Sequence, residues 1–344
     1  MRGLTSSLWP IRYKPLPDEL LSNWIVRLAH GHGLKVQTFC NLIFGNKLQI
    51  WNRDIDRTAP TWLLDELSYR TGTSAETTWS TTLRSYEGLL FRKFRLSSNV
   101  QWILAFQLYH RKPEGHGLQF CPACLREDAI PYFRKCWRVA FNTVCTRHRT
   151  MMHDRCPRCS SGVAVHRVDM RNPHTLESAP LSYCHSCGFD LRDAPDVVTV
   201  TYDPQAFELL LSASLPLESS GVNSEWDLGR YCVMHQLTSL MISVCKHVSL
   251  REFVLGKLGI SDVPLRRGRL PIETRSITER HHVLQLTAWL LVDAEERLTA
   301  AWCSNAVRYN LLMKDFDERP GWYENIVKCL LKKRARSSSL LLHS

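Results

Sequence analysis

The sequence predicts a mainly α-helical protein with an N-terminal helix-turn-helix domain, two small cysteine-rich modules and a helical C-terminal domain. Three observations predict this: apolar residues recur at helical spacing in both flanks, glycines separate the N-terminal helices, and paired cysteines crowd the middle. A chain of 344 residues with 44% hydrophobic content suits two or three domains and excludes a disordered scaffold. We place the domains at residues 1–115, 116–195 and 196–344.

A first helix-turn-helix outline lies near the start of the chain. Asp18 is a good N-cap for a helix whose apolar positions recur over residues 20–28. Gly31 and Gly33 are expected to end that helix, and a second apolar stripe runs over residues 36–43. We therefore expect two short helices joined by a glycine turn.

A second outline of the same kind follows. A helix over residues 62–67, a turn at residues 71–73 and a helix over residues 74–83 repeat the arrangement, and Ser74 can cap the later helix. Thr77 and Thr78 make the middle of the later helix polar enough to face DNA. If this region reads bases, we expect the contacts to come from that helix.

The end of this region adds one basic residue and one further helix. Arg84 directly follows the polar helix and is expected to share its DNA contacts, and a third helix is expected around residues 100–109. Packed helical hairpins that never contact DNA have the same outline, so they remain the alternative interpretation.

The centre of the chain holds four pairs of metal-ligand residues, each separated by two positions. Two such pairs supply the four ligands of one tetrahedral zinc ion. Sequential pairing closes the shorter loops, and an interleaved cross-brace is the alternative. The sequential sites are Cys121, Cys124, Cys145 and His148, followed by Cys156, Cys159, Cys184 and Cys187. The two central modules are therefore predicted to be zinc-binding.

The ligand count indicates that these zinc ions are structural. Four protein ligands close the coordination shell and leave no position for water or substrate. The chain contains no His-x-Glu and no His-Glu-x-x-His motif, which argues against a zinc deaminase or a zinc protease. It also lacks a Walker A motif, a dinucleotide loop and a Gly-x-Ser-x-Gly motif, so no enzyme is predicted.

The C-terminal part is predicted to be helical and to end in a basic tail. Ser276 or Thr278 is expected to begin a strongly apolar helix that runs through residue 292. Further helices are expected at residues 204–215, 237–244, 298–313 and 322–331, with the tail at residues 332–336.

The charge balance favours a polyanionic partner. The 44 Lys and Arg exceed the 33 Asp and Glu, which gives a formal charge of +11. No apolar run is long enough for a membrane span, and the first residues lack a long apolar segment, so we expect a cytoplasmic, nucleoid-associated protein. The alternative is that these charges only solubilise the surface. The expected phosphate contacts are Arg134, Lys135, Arg138, Arg147, Arg149, Arg266, Arg267 and Arg269.

Several motifs together resemble one known family. They are Pro15-Leu-Pro-Asp-Glu-Leu-Leu-Ser-Asn-Trp24, the segment of residues 67–87, Phe120-Cys-Pro-Ala-Cys-Leu125, Cys145-Thr-Arg-His148 and Cys156-Pro-Arg-Cys159. Over residues 15–190 the chain resembles the TniQ/TnsD family of transposon target-selection proteins. The C-terminal half shares only a helical layout with it.

The resemblance implies a non-enzymatic adaptor in DNA transposition. Such a protein links a target-site recogniser, either attachment-site DNA or an RNA-guided CRISPR effector, to a AAA+ regulator of the TnsC/TniC type. The implied partners are that ATPase, target DNA and in some members the effector or a second copy of the chain, and two structural Zn2+ ions are expected. The alternative function is a stand-alone zinc-containing transcription regulator, and a zinc-assisted nuclease would need an open zinc position.

Overall fold

A computed structural model describes residues 7–45, 50–95, 99–106, 117–169, 181–218, 225–243, 249–268, 270–314 and 316–340. The chain forms two compact units, one from residues 1–87 and 93–199 and the other from residues 88–92 and 200–344. The predicted division into domains after residues 115 and 195 stays a prediction.

The prediction of a mainly helical protein is confirmed. The first unit contains α1 (Leu21–Gly31), α2 (Val36–Phe44), α3 (Ile55–Thr58), α4 (Thr61–Thr71), α5 (Ala75–Ser80) and α6 (Pro122–Glu127). Strands β1 (Thr150–Met151) and β2 (Val197–Val198) pair antiparallel in the same unit. Within the described parts of the chain, no helix combines the length and apolar character that crossing a membrane requires.

The first predicted hairpin is present as α1 and α2, but Asp18 does not cap α1. Leu20 holds the N-cap position and offers no side-chain hydrogen bond. Asp18 instead has a positive φ of 54°, and its carboxylate accepts from the backbone N–H of Cys136 at 3.0 Å. The prediction was wrong because the lead-in segment pairs with a distant part of the chain, where the N–H of Leu20 donates to the carbonyl of Phe133.

The second predicted hairpin is present as α4 and α5. Gly72 takes the left-handed conformation that ends α4, with φ of 62°. Ser74 caps α5 by accepting from the N–H of Thr77 at 3.0 Å, as predicted. The prediction of a third helix at residues 100–109 is wrong for residues 100–106, which are not helical. There Ile103 forms an antiparallel bridge with Val139. The rest of that range lies outside the described residues.

A buried ion-pair network supports the core of the first unit. The Arg138 side chain is fully buried and donates to Asp54 at 2.6 Å and to Asp56 at 3.2 Å. Asp56 also accepts from the backbone N–H and the hydroxyl of Ser22, at 2.7 and 2.9 Å, near the start of α1. Burial raises the pKa of Asp56 to about 6, although Arg138 opposes the rise.

The second unit packs around one long buried helix. Its helices are α7 (Pro204–Ser212), α8 (Leu215–Glu218), α9 (Leu228–Ile242), α10 (Leu250–Leu258), α11 (Ile277–Val292), α12 (Ala294–Cys303), α13 (Tyr309–Leu312) and α14 (Gly321–Leu340). Helix α11 contributes Val283, Leu286 and Leu290 to a core shared with α9 and α10. The helix predicted over residues 298–313 is interrupted, because Asn305 adopts a left-handed conformation between α12 and α13.

The N-terminus of α11 carries a capping box. Ser276 accepts from the N–H of Glu279 at 3.3 Å, and the Glu279 carboxylate accepts from the N–H of Ser276 at 3.1 Å. That carboxylate also accepts from the N–H of Arg266 at 2.6 Å and from the Arg275 guanidinium at 2.9 Å. Burial raises the pKa of Glu279, but these hydrogen bonds outweigh it, and the net pKa is lowered.

We predict that Glu279→Gln lowers stability in a pH-dependent way. A carboxylate whose pKa is lowered in the folded state stabilises the fold above its ordinary pKa of about 4.3. That contribution is lost as the pH falls through the lower, folded-state value. The variant should therefore unfold at a lower urea concentration at pH 7, with a free energy of unfolding about 1–3 kcal/mol below that of the wild type. This difference in free energy should shrink in acid.

The control is Glu296→Gln, the same substitution at an exposed position in the first turn of α12. It should match the wild type at each pH. A deficit for Glu279→Gln that is the same at pH 7 and in acid would show that the carboxylate charge is not the source.

Candidate metal centres and basic surface

The first predicted ligand set comes together in the first unit. The ligand atoms of Cys121, Cys124, Cys145 and His148 all lie within 4.8 Å of one another. The Nδ1 atom of His148 is 3.4 Å from each of the three sulfurs, and the sulfurs of Cys124 and Cys145 are 3.6 Å apart. Zinc–sulfur bonds of about 2.3 Å put tetrahedral sulfurs about 3.8 Å apart, so the donors fit a zinc ion.

Two tight turns position these ligands. Cys121 is the N-cap residue of α6 and Cys124 lies in its first turn. Cys145 begins a turn in which the N–H of Arg149 donates to its carbonyl, with Arg149 at a positive φ of 55°. The N–H of Cys145 donates to the carbonyl of Thr150 in β1. Each pair of ligands therefore faces the cluster from a closed backbone turn.

Glu127 is a site residue that the sequence analysis missed. Its carboxylate lies 3.0 Å from Nε2 of His148 and 2.7 Å from the guanidinium of Arg147. A carboxylate on the outer nitrogen orients a histidine and directs the other nitrogen toward a metal. An acidic residue three positions after Cys124 was the available signal, but its partner became evident only from the fold.

The second predicted set also comes together. The sulfurs of Cys156 and Cys187 are 3.7 Å apart, as are those of Cys159 and Cys184, and all four lie within 4.8 Å of one another. Ser160 and Gly188 take positive φ values of 58° and 70° in the turns that bring the cysteines together. The two clusters show the sequential arrangement of pairs and not the interleaved one.

The chemistry of these donors suits a cation that remains in place. Hydrogen bonds from Cys124 and then Cys145 lower the pKa of the Cys121 thiol, whereas the pKa values of Cys124 and Cys145 are raised, so one thiolate is favoured in the cluster. With four protein donors in each cluster, a tetrahedral ion would have no open position. Both clusters can therefore hold metal ions, consistent with zinc in structural roles. The assignment of the eight residues as zinc ligands stays a prediction.

Three predicted phosphate contacts are placed where DNA cannot readily reach them. The Arg134 guanidinium donates to Asp128 at 2.7 and 3.0 Å. Lys135 is buried and donates to the hydroxyl of Ser85 at 2.9 Å. Arg138 is fully buried within its ion-pair network. At these positions the expectation of DNA contact is corrected, because burial and internal partners occupy the charges.

The other predicted contacts differ in exposure. Thr78 is buried and donates to the carbonyl of Ser74, so it does not face DNA, whereas Thr77 is exposed. Arg84 is half-buried. Arg147 and Arg149 are exposed beside the first cluster, and Arg266 and Arg267 are exposed in the second unit. The remaining predicted contact, Arg269, lies outside the described residues.

We predict that the chain binds two zinc ions per molecule when purified without chelators. Cys145→Ser and Cys184→Ser should each bind one, because each removes a donor from a different cluster. Elemental analysis of the folded protein checks the stoichiometry. Cys40→Ser is the control, since Cys40 is buried in the helical core outside both clusters and should leave two ions. Two ions in either cluster variant would contradict the assignment.

We also predict that Glu127→Gln weakens zinc binding at the first cluster by about 10–100-fold, because it removes the anionic partner of His148. Competition with a chromophoric chelator measures the affinity. Glu76→Gln, at an exposed position in α5, is the control and should bind as the wild type does. An unchanged affinity for Glu127→Gln would show that this carboxylate does not support the metal.

Comparison with known families agrees with the motifs. The TniQ family model matches residues 10–152. The matched range contains α1 to α6 and the first metal cluster, whereas the second cluster and most of the second unit lie outside it. The comparison with curated proteins finds no match. The match therefore identifies a TniQ domain in the N-terminal part of the chain, over residues 10–152.

Proposed function

We propose that this protein is a target-selection adaptor in DNA transposition, which links a target-site recogniser to a AAA+ regulator of the TnsC/TniC type. The observation that carries the proposal is the TniQ match over residues 10–152, because a TniQ domain implies a transposition-associated adaptor role. The recogniser is either attachment-site DNA or an RNA-guided CRISPR effector, and a second copy of the chain is a further partner.

The metal clusters support an adaptor in preference to an enzyme. Each cluster offers four protein donors, so a bound zinc ion would have no position for substrate or water. In this proposal the ions hold the segment after α6 in shape. That segment contains little regular secondary structure among its described residues, apart from β1, β2 and short turns. Structural zinc commonly stabilises segments of this kind.

The exposed charge supports contact with DNA. The formal charge is +11, and Arg147 and Arg149 are exposed beside the first cluster. Arg266 and Arg267 form an exposed basic turn in the second unit. We propose these four as phosphate contacts, which would add affinity without sequence selectivity. Target choice would then come mainly from the recogniser.

We expect the chain alone to bind duplex DNA weakly and with strong salt dependence, and to form a stable complex only with the cognate AAA+ ATPase and ATP. Fluorescence anisotropy at two salt concentrations, with and without the ATPase, measures both behaviours. An ATPase with a disabled Walker A lysine is the control, because it should not stabilise the complex. Tight, sequence-selective binding without the ATPase would instead favour a stand-alone transcription regulator.

A further inference from the structure

Three side chains of the first unit form a stack beside α5. The guanidinium carbon of Arg84 lies 4.6 Å from the ring centroid of Trp79 and 5.4 Å from that of Phe94. Trp79 is 36% exposed, and Arg84 and Phe94 are half-buried. We name these three residues the arginine stack. Its rings hold the guanidinium plane at the protein surface through cation–π contacts.

The arginine stack differs from a similar arrangement elsewhere in the unit. Arg134 also lies over two rings, at 4.2 Å from Tyr132 and 4.8 Å from Trp137, but its guanidinium is occupied by Asp128. In the described parts of the chain, no carboxylate forms an ion pair with Arg84, and its buried Nε has no hydrogen-bond partner. The fold therefore holds one such arginine against an acid and leaves the other available to an external anion.

Further positive charge surrounds the arginine stack. The Arg57 guanidinium lies 5.9 Å from the same Phe94 ring, so two cations face one side chain. Lys93 and Arg95 flank Phe94 in sequence and are exposed. The carboxylate of Asp54 offsets part of the Arg57 charge, whereas Lys93 and Arg95 add exposed positive charge that favours an anion near the arginine stack.

From this arrangement we propose that the arginine stack binds a backbone phosphate of duplex DNA. The inference rests on the DNA association within the proposed function. The guanidinium can donate two parallel N–H bonds to phosphate oxygens. Because the rings already restrict the side chain, little rotamer freedom is lost when the phosphate binds. A phosphate contact carries no sequence information, so Arg84 has a positioning role here and not the base contact that the sequence suggested.

The covered ring faces favour duplex DNA over single-stranded nucleic acid. Single strands are bound largely by bases that stack on open aromatic faces. In the arginine stack, Arg84 itself covers one face of Trp79 and one face of Phe94. The acids nearest to it in sequence, Glu76 and Glu87, are exposed, and neither forms an ion pair with Arg84.

The test compares Arg84 variants of the zinc-loaded chain on two duplexes of unrelated sequence. R84A should weaken binding to both duplexes equally and should reduce the slope of log affinity against log salt by about one. R84K keeps the charge but loses the planar fork, so it should keep the slope and bind with intermediate affinity. R84Q removes the charge while preserving most of the side chain, and it replaces R84A if R84A does not fold.

The matched control is R70A. Arg70 also lies beside a ring, 5.8 Å from Tyr69, but it is paired with Glu66 at 2.7 Å in the same helix. It should bind DNA as the wild type does. Wild-type affinity and slope in both R84A and R84Q would overturn the inference. Single-stranded RNA serves as a third probe, and a loss of binding confined to it would also overturn the inference. Absence of duplex binding by the wild type at low salt would also overturn the inference about the arginine stack. The adaptor function would not fall with it, because recruitment of the ATPase tests that function separately.

Discussion

The buried ion-pair network around Arg138 is the constraint on which the first unit depends. A fully buried guanidinium is tolerated only with carboxylate partners, and Asp54 and Asp56 provide them from the segment that begins α3. Asp56 in turn accepts a hydrogen bond from the backbone N–H of Ser22 at the start of α1. Removing one partner of such a network commonly costs about 3–5 kcal/mol, because a buried charge is left uncompensated. The helical hairpins and the segment that carries the first metal cluster therefore form one cooperative body.

The segment of the second cluster is joined to the helices in a similar way. Asp169 is buried, accepts from the N–H of Val36 at the start of α2 at 2.6 Å, and lies 3.2 Å from Nε2 of His30 at the end of α1. A carboxylate at a helix N-terminus satisfies an N–H that has no partner within the helix. The turn between α1 and α2 is thus fixed by a residue far along the chain, and a metal ion that orders the second cluster would also support that turn.

The sequence predicted the elements whose signals are local. The two hairpins, the Ser74 cap and the spacing of the ligand pairs depend on residues a few positions apart, and the structure shows each of them. The features that the sequence could not predict depend on contacts between residues far apart in the chain. Asp18 is a good helix cap by composition, yet it binds the backbone of Cys136. Likewise, the part of residues 100–109 that the structure describes pairs with a distant strand-like segment, which overrides its helical pattern.

The arginines show most clearly why net charge alone misplaces a DNA surface. Arg134 and Arg138 contribute to the formal charge of +11, but carboxylates inside the fold compensate both of them. The field that an external polyanion meets comes mainly from cations that no buried carboxylate compensates. Arg84 is held between two rings, where no acid of the described residues compensates it. Aromatic rings can orient a guanidinium without neutralising it, whereas a carboxylate does both, so the chemistry of the supporting residues separates a structural arginine from a binding one.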